Sequence, residues 1–281
     1  MNPILKIMGG LPLISLESTQ AFRMQVLEML AAGFPVNGNP QADGFKMRDG
    51  PEYDRYGDKI PSMELREGIA IIPVKGIMAA GLPSIARAYG FTDPGLIEAN
   101  IRSALGNPGV RGMILDTDSP GGMSNGIPEL AETVREAAAV KPIFGFTKAN
   151  AGSAAYWTFA PAPKIFATPS ARVGSIGAYK VHVDDSKFWE RMGLTTELFA
   201  SGKYKGMGEV ALTDDQRKLL QEQVDALGNE FKASVKLTRT LIKAEDMEGQ
   251  SFSGTEAAKR GLITGVVKNI ENVIAKFSEN A

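Results

Sequence analysis

"VRGMILDTDSPGGMSNGIPELAETVREAAAVKPIFGFTKANAGSAAYW", residues Val110–Trp157, reads as strand, glycine turn, helix, strand and second helix in direct succession. Val110–Pro120 is a short apolar run of buried-strand character that ends at a glycine pair. A helical period takes over from about Gly126 to Ala139, and Lys141–Ala149 returns to a strand before the helix that follows Ser153. Strands alternating with helices make βαβ units, so the stretch predicts an α/β domain with a mostly parallel sheet covered on both faces. In such sheets ligand chemistry gathers at the carboxyl ends of the strands. Both "DTDSPGG" and "NAGSAAY" fall there.

The same alternation extends in both directions. Upstream, "GIAIIPV" (Gly68–Val74) is a strand, and "DPGLIEANIRSALGNPGV" holds a helix with Leu96, Ile97, Ile101 and Leu105 on its apolar face. Thr92 or Asp93 caps that helix, with Pro94 in its first turn. Downstream, "PKIFATP" (Pro163–Pro169) is a fourth strand. The longest helical signal begins at Leu212–Thr213, where "TDDQ" supplies a capping residue and first-turn acids. Its stripe runs through Leu220, Val224, Leu227, Phe231, Val235 and Ile242, with Thr238 in the one wide interval, and suits a large partner surface such as another subunit. After a break at "EGQSFSG", the segment "GTEAAKRGLITGVVKNIENVIAKF" reads as a short helix, a glycine turn and a final strand or helix. Residues 1–64 stand apart: a helix around "STQAFRMQVLEMLAAGF" precedes a charged, turn-rich segment that reads as a loop or extended arm. The expected division is therefore 1–64 and 65–281.

Composition narrows the function classes. A chain of 281 residues with 43% hydrophobic content folds around a sizeable core. The net charge of -1, from 31 basic against 32 acidic residues, gives no global field to attract nucleic acid. The absence of cysteine excludes disulfides, thiol chemistry and cysteine-ligated metal, and a single histidine excludes a histidine-rich metal site within one subunit, so no metal site is expected. No run reaches about 18 uninterrupted apolar residues, and the first residues lack a signal-length apolar stretch, so the expectation is a cytoplasmic protein without a stable membrane span.

A serine acts as a nucleophile only beside a base. The lone histidine, His182 in "KVHVDD", has strand-like alternation and reads as an ordinary surface or core residue. The pattern around Ser153, "AGSAA", breaks the G-x-S-x-G of an α/β-hydrolase elbow. A desolvated lysine is the remaining base, because burial favours the neutral amine. "LFASGKYKGMGE" offers Lys203 and Lys205, although two loop lysines are more commonly solvated charges. For an oxyanion, "DTDSPGGMSNG" combines a strand end, glycines and a helix N-terminus. Its plainer reading is a tight βα turn.

Five blocks in order, "DSPGG", "AGSAAY", "KIFATPSARVGSIG", "SGKYKGMGE" and "FSGTEAAKRGLI", resemble the signal peptide peptidase A family of serine–lysine peptidases, in particular its cytoplasmic branch of phage head-maturation proteases. The resemblance implies a ClpP/crotonase-like fold, a polypeptide substrate, no cofactor and a ring-like homo-oligomer. It places the nucleophile on Ser153, the general base on Lys205, 52 positions downstream, and the amine-orienting serine on Ser175 in "VGSIG". The oxyanion glycines fall on Gly121 and Gly122. Lys203 stays a rival, since an extended chain would put both lysines on one face, and the path must bend if Lys205 alone enters the site.

The resemblance is incomplete in three places. No membrane segment is expected, Thr264 stands where the family has Asp, and Ala154 and Ala155 replace glycines and should crowd the pocket. Substrate pockets are expected from "GIMAAGLPS" and the region after Gly122, with an extended peptide added to a strand edge. Two other classes share parts of this pattern: a crotonase-type acyl-thioester enzyme, which needs neither Ser153 nor Lys205, and a non-catalytic assembly protein.

Overall fold

The computed structural model describes residues 60, 62–82 and 84–278. The helix expected within the first 60 residues lies outside them. Nine strands form one sheet: β1 (Glu64–Arg66), β2 (Ile69–Met78), β3 (Phe91–Thr92), β4 (Gly112–Gly122), β5 (Ile143–Gly152), β6 (Lys164–Ala167), β7 (Arg172–Gly174), β8 (Ser251–Ser253) and β9 (Gly265–Val266). The central order is β1-β2-β4-β5-β6-β9, and every pairing is parallel except β1 with β2 and β7 with β8. The helices are α1 (Pro94–Gly106), α2 (Ile127–Val140), α3 (Ala154–Phe159), α4 (Ser186–Arg191), α5 (Asp214–Lys236), α6 (Gly254–Lys259) and α7 (Ile270–Ser278).

The fold is α/β with helices on both faces of the sheet, which explains why the central strands are apolar on both sides. Ala70, Ile72 and Val74 of β2 join Met113 and Leu115 of β4 in the core beneath α1, α2, α3 and α5. Their alternates Ile69, Ile71 and Ile114 turn to the other face, where Val273, Ile274 and Phe277 of α7 cover them. Asp93 caps α1 by accepting from the Gly95 N–H at 2.7 Å. Thr213 caps α5 in a reciprocal box with Gln216.

Two departures from the sequence reading shape the site. β5 does not stop at Ala149 but bends and continues to Gly152. Its first half pairs with β6, whereas Asn150, Ala151 and Gly152 pair with β7. The β4 register slips at the bend, between Thr117 and Ser119, and Asp118 accepts from the Asn150 backbone N–H at 3.2 Å. α5 ends at Lys236, before the stripe reaches Ile242. There the hydroxyl of Thr238 donates to the Ala160 carbonyl at 2.7 Å, turning the chain onto the end of α3.

Candidate active site

Ser153 stands between the last residue of β5 and the first of α3. Its φ of 54° is left-handed, a conformation that a residue with a Cβ keeps only when its surroundings fix it. Here the Ser153 N–H donates to the Gly174 carbonyl at 2.8 Å, and the Ser153 carbonyl accepts from Trp157 at 2.9 Å to start the helix. α3 is buried along its whole length, and Trp157 stacks on Phe231 of α5 with ring centroids 4.5 Å apart. At its far end the buried Arg239 donates to the Ala160 carbonyl at 3.3 Å and to that of Ala162. The serine is therefore held from both ends of a fixed element.

Parallel pairing of Gly152 with Gly174 brings Ser175 beside Ser153. Ser175 also has a left-handed φ, 55°. Both serines line one open pocket of about 620 Å³, whose other walls include Tyr179, Val224, Gly228 and Met247. Ser153 is only 2% exposed, and among the described residues its hydroxyl has no hydrogen-bond partner. A serine hydroxyl that lines a pocket and is engaged by no other side chain becomes a nucleophile once a base reaches it.

The glycine turn closes on the same point. A Cβ on Gly121 would stand 2.7 Å from the Ser153 Cβ and 2.9 Å from the Ala154 nitrogen. The Gly121 N–H donates to the buried Ser119 hydroxyl at 3.1 Å. Gly122 faces the other way: a Cβ there would lie 1.9 Å from the Met78 carbonyl of β2. The structure thus brings Gly121, Ser153 and Ser175 together and sets Gly122 against the neighbouring strand. The Ala154 nitrogen, at the first position of α3, is the polar group that sequence reading missed. Only the close approach of Gly121 reveals it.

Neither lysine lines the pocket of the two serines. Lys205 is exposed on the turn-rich segment 201–209, does not line the pocket, and makes no ion pair among the described residues. Lys203 pairs with Asp215 at the start of α5, and its carbonyl accepts from Gln216 at 2.9 Å. The hydrogen bond to Asp215 raises the Lys203 ammonium above its usual range. The chain bends between the two, with the Lys205 N–H donating back to the Gly202 carbonyl at 3.0 Å.

Other expectations meet a mixed outcome. His182 has no strand about it; it lies half-buried against Gly208, with a buried Nε2 that finds no partner among the described residues. Ala154 and Ala155 do not crowd the pocket, because both side chains turn into the core. Among the described residues, Gly76 to Leu82 do not line the pocket, whose far wall is α5 instead. Thr264 takes a structural role, its hydroxyl accepting from the Ile165 N–H at 3.0 Å and its own N–H donating to the Ile165 carbonyl at 2.8 Å. Among the described residues no group of three or more acidic or histidine side chains is placed to hold a metal, and no helix is long and apolar enough to cross a membrane.

The profile of peptidase family S49 matches residues 135–281, a span that includes Ser153, Ser175 and Lys205 and leaves out Gly121 and Gly122. The chain is 30% identical over 229 residues to capsid assembly protease C of Escherichia phage lambda, covering 80% of this chain and 51% of that one. It is 28% identical over 215 residues to the chloroplastic serine protease SPPA of Arabidopsis thaliana, covering 72% of this chain and 31% of that one. The chain spans about half the length, or less, of these relatives. Among solved structures, a ClpP1 mutant from Listeria monocytogenes aligns with a TM-score of 0.45 at 10% identity, over 72% of this chain and 94% of that one.

Proposed function

The chain belongs to peptidase family S49, and on that premise we propose that it is a serine endopeptidase that works through Ser153 and Lys205. The observation that carries the reading is the geometry of Ser153: a strained, buried serine at a strand-to-helix turn, its hydroxyl unpaired beside a pocket that Ser175 shares. In the reaction, the neutral Lys205 amine takes the Ser153 proton and the serine oxygen attacks a peptide carbonyl. Backbone N–H groups at the Gly121 and Gly122 turn stabilise the oxyanion, which requires the Gly121 N–H to leave the Ser119 hydroxyl and the Gly122 backbone to turn from β2. The ammonium then protonates the leaving amine as the C–N bond breaks. Water, deprotonated by the same lysine, releases the acyl group and restores the serine. Ser175 orients the amine, so no buried aspartate is needed.

Lys205 is exposed in the single chain, and the exposed apolar residues of segment 178–212 support a ring-like homo-oligomer as its cover. Phe188, Met192, Leu194 and Phe199 all stand in solvent in the single chain, Phe199 at 89% exposure. Leu220 on α5 is only partly buried and adds to this apolar surface. Covering these residues also dries the lysine, the condition for a neutral amine. The substrate is a polypeptide, and the similarity to a capsid assembly protease supports a capsid or scaffold precursor in the cytoplasm of an infected cell.

The test is to incubate wild type, Ser153→Ala and Lys205→Ala with denatured casein and to identify fragments by mass spectrometry. Cleavage by wild type alone is the expected result. Full cleavage by Ser153→Ala would remove the proposal.

A further inference from the structure

Ser175 keeps its left-handed backbone because a neighbouring turn grips the chain on both sides of it. Its N–H donates to the Gln250 carbonyl at 2.7 Å, and the Ile176 carbonyl accepts from the Gly249 N–H at 3.0 Å. Gly174, just before it, has φ 124°, and a Cβ there would come within 2.8 Å of the same Gln250 carbonyl. Residues 245–250 thus fix the Ser175 backbone from one side, while the pairing of Gly174 with Gly152 and Ser251 fixes it from the other.

One side chain bridges that turn, beside the backbone bonds from Asp246 to Lys243 and from Met247 to Ala244. The Gln250 carboxamide accepts from the Glu248 N–H at 2.7 Å and donates to the Glu245 carbonyl. From outside, Lys232 of α5 pairs with Glu248 at 2.7 Å and Arg260 pairs with the buried Asp246. Gln250 is half-buried and does not line the pocket, although Met247, Glu248 and Gly249 do. Its reach to the reacting groups runs through the Ser175 backbone.

We propose that Gln250 is a positioning residue for the serine–lysine site: its carboxamide sets the 245–250 turn, and the turn sets where the Ser175 hydroxyl stands beside Ser153. The proposal rests on the reading of Ser175 as the group that orients the catalytic amine. Loss of the carboxamide leaves the pocket walls in place but frees Ser175 to leave its strained conformation. The chemical step suffers and substrate binding does not.

The experiment measures kcat and KM of the full-length protein on fluorescein-labelled denatured casein, for Gln250→Met, which matches the side chain in length without its hydrogen bonds, and for Gln250→Glu, which keeps the acceptor. Gln250→Met should lower kcat about tenfold with KM within about twofold of wild type, and Gln250→Glu should recover most of that loss. On a Ser175→Ala background, Gln250→Met should subtract less than about twofold more, because a residue acting through Ser175 has nothing left to position. An unchanged kcat in folded Gln250→Met, or losses that multiply in the double variant, overturns the proposal. Should Gln250→Met fail to fold, Gln250→Glu enters the same cycle, with a smaller loss that vanishes on the Ser175→Ala background. A Ser175→Ala protein with wild-type kcat instead shows that the reading of Ser175 is at fault, and the role of Gln250 falls with it.

Discussion

Lys203 is tied by an ion pair to Asp215, so the 201–209 segment is anchored to the start of α5 by one lysine and leaves the other free to reach elsewhere. Hydrogen bonding raises Lys203 and lowers Asp215 from their ordinary values. The Lys203 contribution is present below its unfolded value and is lost as pH rises through the raised one. The Asp215 contribution is present above its unfolded value and is lost as pH falls through the depressed one. The pair therefore persists from about pH 4 to about pH 10, and Lys203 stays charged wherever a neutral-range peptidase works. Lys203→Met should keep casein cleavage within about threefold of wild type, with the same pH–rate profile between about pH 6 and pH 9, while Lys205→Met falls to background. The reverse pattern would assign the base to Lys203.

Gly121 has no room for a side chain. Its φ is 103° and any Cβ would overlap Ser153. Gly121→Ala must therefore move the glycine turn, the serine or both, and a shift of about 1 Å at reacting groups costs on the order of a hundredfold in rate. The expected variant folds, by circular dichroism, and cleaves casein at least about a hundredfold more slowly. Wild-type kcat would show that the turn has no part in the reaction.

Arg239 holds the far end of the serine's helix. Among the described residues its buried guanidinium pairs with no carboxylate; it donates to the carbonyls of Ala160 and Ala162, where the dipole of α3 ends. Burial lowers it from its ordinary value and pushes the adjacent buried Tyr156 phenol up, so Tyr156 stays neutral and donates to the Leu262 carbonyl at 2.8 Å. Arg239→Met leaves two buried carbonyls short of donors and should destabilise the fold by about 2–3 kcal/mol. Urea unfolding reads this as a lower midpoint at unchanged slope. An unchanged midpoint would mean that the guanidinium bonds to Ala160 and Ala162 add nothing to the stability of the fold.

The central βαβ unit was legible because its periods are strong: α2 and β5 begin within two residues of where the pattern puts them, and the Thr213 capping box announces α5. β7 and β8 were not, since three residues carry no period. The serine positions followed from motif order, yet nothing local in "AGSAA" or "VGSIG" shows that both serines are left-handed. That conformation comes from the pairing of β5 with β7 and from the grip of Gln250, contacts across the fold. The pocket wall was misplaced for the same reason: α5 lies far from Ser153 in sequence and meets it only by packing on α3 through Trp157 and Phe231.

Separation of Lys205 from the Ser153 pocket has a consequence for mixtures. The mixture tests a ring in which the lysine of one copy completes the serine of the next; there, neither Ser153→Ala nor Lys205→Ala destroys both halves of every site. When equal amounts of the two inactive variants are unfolded together and reassembled at random, an intact serine meets an intact lysine at about one site in four. The mixture should recover about a quarter of wild-type casein cleavage, while each variant alone stays inactive. Charging the exposed apolar segment, as in Phe199→Asp, should shift the oligomer toward single chains by analytical ultracentrifugation and abolish the recovery. A mixture that stays inactive while wild-type chains taken through the same procedure regain activity would mean that the 178–212 segment folds back and delivers Lys205 within its own chain.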